Sequence, residues 1–271
     1  MHAFQHYSVF IRTIRRRWIS SAIFLEHSQG KLATVANSAA IYAARQAGFE
    51  KNVGILAVST ETEAVIADAQ RLPGLSSLIV AVNADYAHLM PEATATLLLL
   101  LQQKHNFSHW WAAHTSIGKN VFPRFAGLIL REDEKGSVAP IADITKVLDS
   151  KTFERPIYAG NAISTVQSSA AINLITVRPT AFLTETLTSE LNTAATLSTT
   201  VIKPEIPKEE RLATWVGDEL NESDRPELAS AEIVIAGGRA LKSAENFKLL
   251  YDLADALGGA AGIPHPSTCR W

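Results

Sequence analysis

The residues best suited to chemistry in this chain lie in EIVIAGGRALKS, positions 232–243. An apolar run of strand type ends at Gly237 and Gly238, and a helical pattern follows. Glycines between a strand and a helix N-terminus let backbone N–H groups approach a phosphate closely, and the helix dipole favours the anion. Arg239 and Lys242 add positive charge at that point. The spacing predicts a helix from about Ser243, with that serine as N-cap. Phe247, Leu250, Leu253, Ala254 and Leu257 fall on one of its faces. The stretch holds neither GxGxxG nor GxxxxGK[ST], so it also reads as an ordinary tight turn with both basic side chains solvated.

Other motifs carry less. HWWAAH places His109 and His114 five apart, an odd offset that puts them on opposite faces of a strand and keeps them from sharing a metal. They read as histidines at the ends of a buried strand. TSIGKNVFPR contains Gly118-Lys119 without the glycine spacing of a phosphate loop. It reads as a turn from sheet to helix, with Lys119 and Arg124 on the surface or at a subunit contact. No cysteine cluster, HExxH or calcium-loop pattern occurs, and no GxSxG elbow or nucleophile–base pair can be assembled from spacing. Neither a metal centre nor a set of catalytic residues is expected.

These motifs sit in an alternating frame. SAIFLEH, NVGILAVS, SLIVAV and HWWAAHTS read as strands. Between and after them, KLATVANSAAIYAARQAG, ETEAVIADAQRL, PEATATLLLLLQQK and GKNVFPRFAGLIL read as helices. Strands rich in Val, Ile and Leu between helices imply a parallel sheet covered on both faces. IADITKVLD, TFERPIYAGNAISTVQS and AINLITVRPTAF are strand-like with no helices between them, and read as an antiparallel appendage. Ser, Thr, Glu and Pro dominate residues 184–222, which read as a linker or surface crossing. The expected fold is α/β: a nucleotide-binding-like parallel-sheet domain over 20–183, the linker, then the first strand and helix of a Rossmann-like domain over 223–271.

Composition sets outer limits. The 271 residues carry a formal charge of −2, with 47% hydrophobic and 19% charged. That balance argues against a general nucleic-acid binder, which needs a basic face. No apolar run reaches the ~20 residues of a membrane span. The single cysteine, Cys269, precludes an intrachain disulfide. Residues 1–19 hold Arg12, Arg15, Arg16 and Arg17 and no carboxylate, and read as a mitochondrial presequence or a retained basic arm.

Several segments taken in order resemble one family. They are FLEH, GKNVFPRFAGLI, PIADI, TFERPIYAGNAISTV, RPTAF and SDRPELASAEIVIAGGRALKSAENFKLLYDLADALGGAAG. Together, from about Ser20 to Gly262, they are similar to the α subunit of electron transfer flavoprotein. The resemblance implies a redox subunit, not an enzyme with its own substrate. It implies FAD held in the second domain, with Arg239 matching a family arginine that contacts the cofactor. The implied partners are a β subunit, which holds AMP, then acyl-CoA and related dehydrogenases as electron donors and a membrane quinone oxidoreductase as acceptor. The implied compartment is the mitochondrial matrix. After ALGGAAG the family continues into further FAD-binding loops, whereas this sequence reads IPHPSTCRW. That departure suggests a C-terminally truncated form with impaired FAD binding. Its alternative role is that of an interaction protein docking on the β subunit without flavin. An independent nucleotide-binding dehydrogenase is a weaker reading, since GxGxxG and a catalytic pair are missing.

Overall fold

The computed structural model describes residues 20–59, 63–132, 137–182, 197–207, 213–217, 225–226, 228, 231–238, 241–243 and 245–262. The residues read as a presequence, most of those read as a linker, Arg239 and the tail with Cys269 lie outside the described residues. The chain divides into two compact units, Met1–Thr214 and Trp215–Trp271.

The first unit begins with β1 (Ser21–Leu25) and a small hairpin, β2 (His27–Ser28) and β3 (Lys31–Leu32). Then α1 (Thr34–Gln46), β4 (Asn52–Val58), α2 (Glu63–Gln70), β5 (Leu75–Val82), α3 (Pro91–His105), β6 (His109–Ala113) and α4 (Gly118–Glu132) alternate. After them come β7 (Val138–Ile144), β8 (Lys146–Val147), β9 (Thr152–Ile157), β10 (Ala162–Gln167), β11 (Ile172–Val177) and β12 (Ser198–Ile202). Seven strands form one sheet in the order β12-β5-β4-β1-β6-β11-β7, and every pairing is parallel. The chain winds outward from β1 through β4 and β5, then returns to β6 on the other side of β1. That reversal is the topological switch point of an open α/β sheet.

The central strands are buried along their whole length, so they are near-continuously apolar. Adjacent tryptophans on β6 show the alternation of a strand. Trp110 enters the core under α3 and α4, and Trp111 enters the core under α1 and α2. Trp110 donates its Nε1–H to Gln102 Oε1 at 2.7 Å. Alanines at 39, 40, 43 and 44 let α1 lie close on the sheet.

Two expectations change in detail. The antiparallel appendage exists as the three-stranded sheet β10-β9-β8. Its flanking segments, β7 and β11, instead join the main sheet in parallel. The antiparallel strands thus occupy the crossover that a helix fills elsewhere in the fold. Part of the stretch read as linker also belongs to the sheet, since β12 pairs with β5 from Ser198 to Ile202. Gln70 Nε2 donates to Thr199 Oγ1, and Asn83 Nδ2 to the Pro204 carbonyl, both at 2.9 Å. Serine and threonine suggested a loop, but STTVI is mostly β-branched and suits an edge strand.

The second unit contains β13 (Val234–Ala236), α5 (Phe247–Leu257) and β14 (Ala260–Gly262). The two strands pair in parallel, so the helix is a βαβ crossover. The expectation of strand and helix alone therefore gains a second strand. Among the described residues no helix is long and apolar enough to cross a membrane.

Residues 20–214, expressed alone, are expected to keep a cooperative thermal transition, because both halves of this core close within that range. A far-ultraviolet melt without a transition would refute the division into units.

Candidate functional site

In the second unit the two glycines of the turn do different work. A Cβ on Gly237 would stand 2.2 Å from Leu250 Cδ1 and 2.7 Å from Leu241 Cδ1, so this glycine lets α5 lie against the strand. Among the described residues, a Cβ on Gly238 would meet nothing within 4 Å, which leaves its backbone open to a ligand on that side. Close packing at one glycine and open backbone at the next suit a phosphate-bearing cofactor at a strand–helix turn. Arg239, between them and the helix, lies outside the described residues.

The helix starts later than Ser243. Asn246 is its N-cap, with no side-chain capping bond, and Lys242 has a left-handed φ of 64°. That conformation cannot propagate a right-handed helix, so the helix starts only after residues 245–246, which form a turn. Of the predicted apolar face, Phe247 and Ala254 are buried, while Leu253 and Leu257 are 47% and 49% exposed. A two-stranded sheet is too narrow to cover both ends of the stripe. Arg225 braces the helix from outside. Its guanidinium pairs with both Asp255 carboxylate oxygens, at 2.5 and 2.9 Å, and lies 4.7 Å from the Tyr251 ring centroid. That contact gives Arg225 a mechanical role which spacing alone did not reveal.

In the first unit the switch point is filled by a side chain that sequence reasoning passed over. Glu26 follows β1 and is 3% exposed. Thr115 Oγ1 lies 2.8 and 2.7 Å from its two carboxylate oxygens, and the Gly118 N–H donates to that hydroxyl at 3.1 Å. The Glu26 backbone is bracketed by Asn37, whose Oδ1 accepts from its N–H and whose Nδ2 donates to its carbonyl, each at 2.9 Å. One residue therefore ties β1 to α1 and to the start of α4. Burial pushes the Glu26 carboxyl up to about 7, against the lowering effect of Thr115 and the Gly118 backbone. The FLEH motif contained this residue, but only the tertiary fold brings Thr115 to it.

The histidines of HWWAAH part company. His109 is buried between Ser108 Oγ, 2.9 Å from its Nδ1, and the Ser150 carbonyl, 2.8 Å from its Nε2. Burial lowers it to about 4. His114 lies beyond the other end of β6, its Nδ1 2.9 Å from Thr176 Oγ1. The turn reading of TSIGKN agrees with the structure. Gly118 opens α4, Lys119 is exposed, and a Cβ at Gly118 would stand 2.0 Å from the Ala113 carbonyl oxygen.

Comparison with known proteins places both units. Residues 21–207 match the electron transfer flavoprotein domain, and residues 227–269 match the electron transfer flavoprotein FAD-binding domain. The second match runs past Gly262 into the tail. The chain is 41% identical over 240 residues to the electron transfer flavoprotein subunit alpha of Pseudomonas aeruginosa, covering 89% of this chain and 72% of that protein. It is 40% identical over 256 residues to a probable mitochondrial electron transfer flavoprotein subunit alpha of Cryptococcus neoformans var. grubii, covering 93% and 70%. With the Paracoccus denitrificans subunit alpha it shares 37% over 237 residues, covering 88% and 70%.

Proposed function

Because the chain belongs to the α-subunit family of electron transfer flavoproteins, we propose that it pairs with a β subunit through its first unit and binds FAD only weakly by itself. Members of this family are electron carriers that use FAD, not substrate-converting enzymes. Bound FAD supplies reversible uptake and release of electrons. In the proposed role these come from acyl-CoA and related dehydrogenases and pass to a membrane quinone oxidoreductase. The setting is the mitochondrial matrix, in keeping with the mitochondrial names of the fungal relatives and with the basic N-terminus.

The contrast between the units carries this reading. The first has a seven-stranded sheet with a core on each face, whereas the described part of the second offers FAD one glycine turn beside a half-exposed helix. The open Gly238 backbone and Arg239 are the groups that would hold the cofactor there. A charge-assisted hydrogen bond contributes roughly 1.5–3 kcal/mol. Even millimolar affinity requires about 4 kcal/mol, so a single arginine contact does not retain FAD. A second reading, docking on the β subunit without flavin, rests on the same contrast.

The visible spectrum of the purified chain, alone and with a β subunit, tests both. A colourless chain that co-purifies with the β subunit supports the interaction role. Flavin bands at one per chain would refute weak binding. Melting the chain with added FAD gives a second check, since Arg239→Ala is expected to leave the transition unchanged. A saturable rise with FAD that Arg239→Ala abolishes would show a working site.

A further inference from the structure

We propose that the end of the first unit's sheet around His114 is a binding site for a small oxyanion, a phosphate group either free or carried as a monoester. Four elements bring basic side chains to this place. The His114 N–H donates to the Val177 carbonyl at 2.7 Å, which sets the end of β6 beside the end of β11. Asp143, at the end of β7, donates its N–H to Thr176 Oγ1 at 3.2 Å, and the same hydroxyl contacts His114. Arg178, just after β11, bonds the Asp143 carboxylate through Nε at 2.9 Å and through Nη2. The Thr145 N–H donates to the Glu154 carbonyl at 2.8 Å, which brings the next residue, Arg155, to the same end. Lys119 stands in the first turn of α4, its N–H donating to the Thr115 carbonyl at 3.1 Å. His114 feels the charges of Asp143, Lys119, Arg178 and Arg155 together, and burial with the three cations holds it below the usual imidazole range despite Asp143.

The charges here do not cancel. Lys119, Arg155 and Arg178 face Asp143, and the neighbouring carboxyl of Glu26, beside Thr115 and Gly118, is held protonated by burial up to about pH 7, so positive charge stays in excess. Arg178 is committed to Asp143, while no ion-pair partner is found for Lys119 or Arg155 among the described residues. Arg155 Nε is moreover shut off from solvent without a hydrogen-bond acceptor. An orphaned guanidinium donor is costly and calls for an acceptor. A dianionic phosphate supplies both the acceptors and the matching charge, and arginine suits its geometry. The position is also apt, at the carboxyl ends of parallel strands next to the switch point, where open α/β sheets take their ligands. Arg155 as a whole is half-buried, with only its Nε enclosed, so a small ion meets the rest of the guanidinium in a recess better than a flat protein surface would.

Thermal melts of the full chain test this, with inorganic phosphate or a nucleoside monophosphate titrated against sodium chloride at equal ionic strength. A ligand of the native state raises the transition in a saturable way. A rise with both compounds identifies free phosphate as sufficient, and a rise with the monophosphate alone identifies a monoester. Arg155→Gln and Lys119→Gln are each expected to weaken the apparent affinity roughly tenfold or more. Lys146→Gln, which removes an exposed cation paired with Glu154 at 3.5 Å, should leave it unchanged. If the variants fail to fold, equilibrium dialysis of the wild-type chain against radiolabelled phosphate decides, and no saturable uptake overturns the proposal. It is overturned as well if chloride acts as strongly as phosphate. Failure of both phosphates to act, with Arg155→Gln instead losing a β subunit, would mark the cluster as a protein contact.

Discussion

Replacing Gly118 by alanine is expected to destabilise the first unit by about 3 kcal/mol or more, at the upper end of overpacking effects. The added methyl carbon would stand 2.0 Å from the Ala113 carbonyl oxygen and 3.2 Å from Glu26 Oε1. The carbonyl belongs to the last residue of β6, in the interior of the sheet, and cannot swing aside as a side-chain tip can. The start of α4 must therefore move, and with it the contact from the Gly118 N–H through Thr115 to Glu26. Gly127, exposed in the same helix, has nothing within 4 Å of where a Cβ would stand. Gly127→Ala should stabilise by about 0.5–1 kcal/mol through helix propensity alone. Urea unfolding of the two variants beside the parent checks both. Equal small effects would show that close approach at Gly118 is not limiting.

Glu26→Gln is expected to make the protein progressively more stable than the parent as pH rises, with a difference of about 3 kcal/mol between acid and pH 8. The carboxyl ionises at about 7 in the folded chain, against an ordinary 4.5. Its folded value is raised, so the folded state binds the extra proton between those limits. The contribution is complete below 4.5 and is lost as pH rises through 7. Glutamine stays neutral throughout and can still accept the Thr115 hydroxyl, so it escapes that loss. The parent's own profile hides the effect, because His109 has the opposite sign. Its folded value is lowered to about 4, so its contribution is present above 6.5 and lost as pH falls. The two slopes oppose each other between 4.5 and 6.5, and only the difference between variant and parent isolates Glu26. Denaturant midpoints for both proteins from pH 5 to 8 provide it. A constant difference would mean that Glu26 is ionised across the range.

Local pattern alone determined the alternating strands and helices through α4, the buried character of β1, β4 and β6, and the family to which the chain belongs. These features are legible because a buried parallel strand and an amphipathic helix each declare themselves within about ten residues. The glycine turn of EIVIAGGRALKS was legible for the same reason, although the helix after it begins at Phe247 because Lys242 takes a left-handed conformation. What the tertiary structure decided concerns partners distant in the chain. STTVI is polar enough to read as a loop, and only the free edge of β5 makes it a strand. The β7 and β11 segments look like their antiparallel neighbours, and the parallel pairing of β11 with β6 and of β7 with β11 separates them from that small sheet. Glu26 and Thr115 stand 89 positions apart, and Arg155 joins Lys119 and Arg178 only where β9 folds back beside Thr145. A carboxylate or guanidinium acquires its charge state and its task from what surrounds it in space, and that information lies in the packing of the sheet, not in any one stretch of sequence.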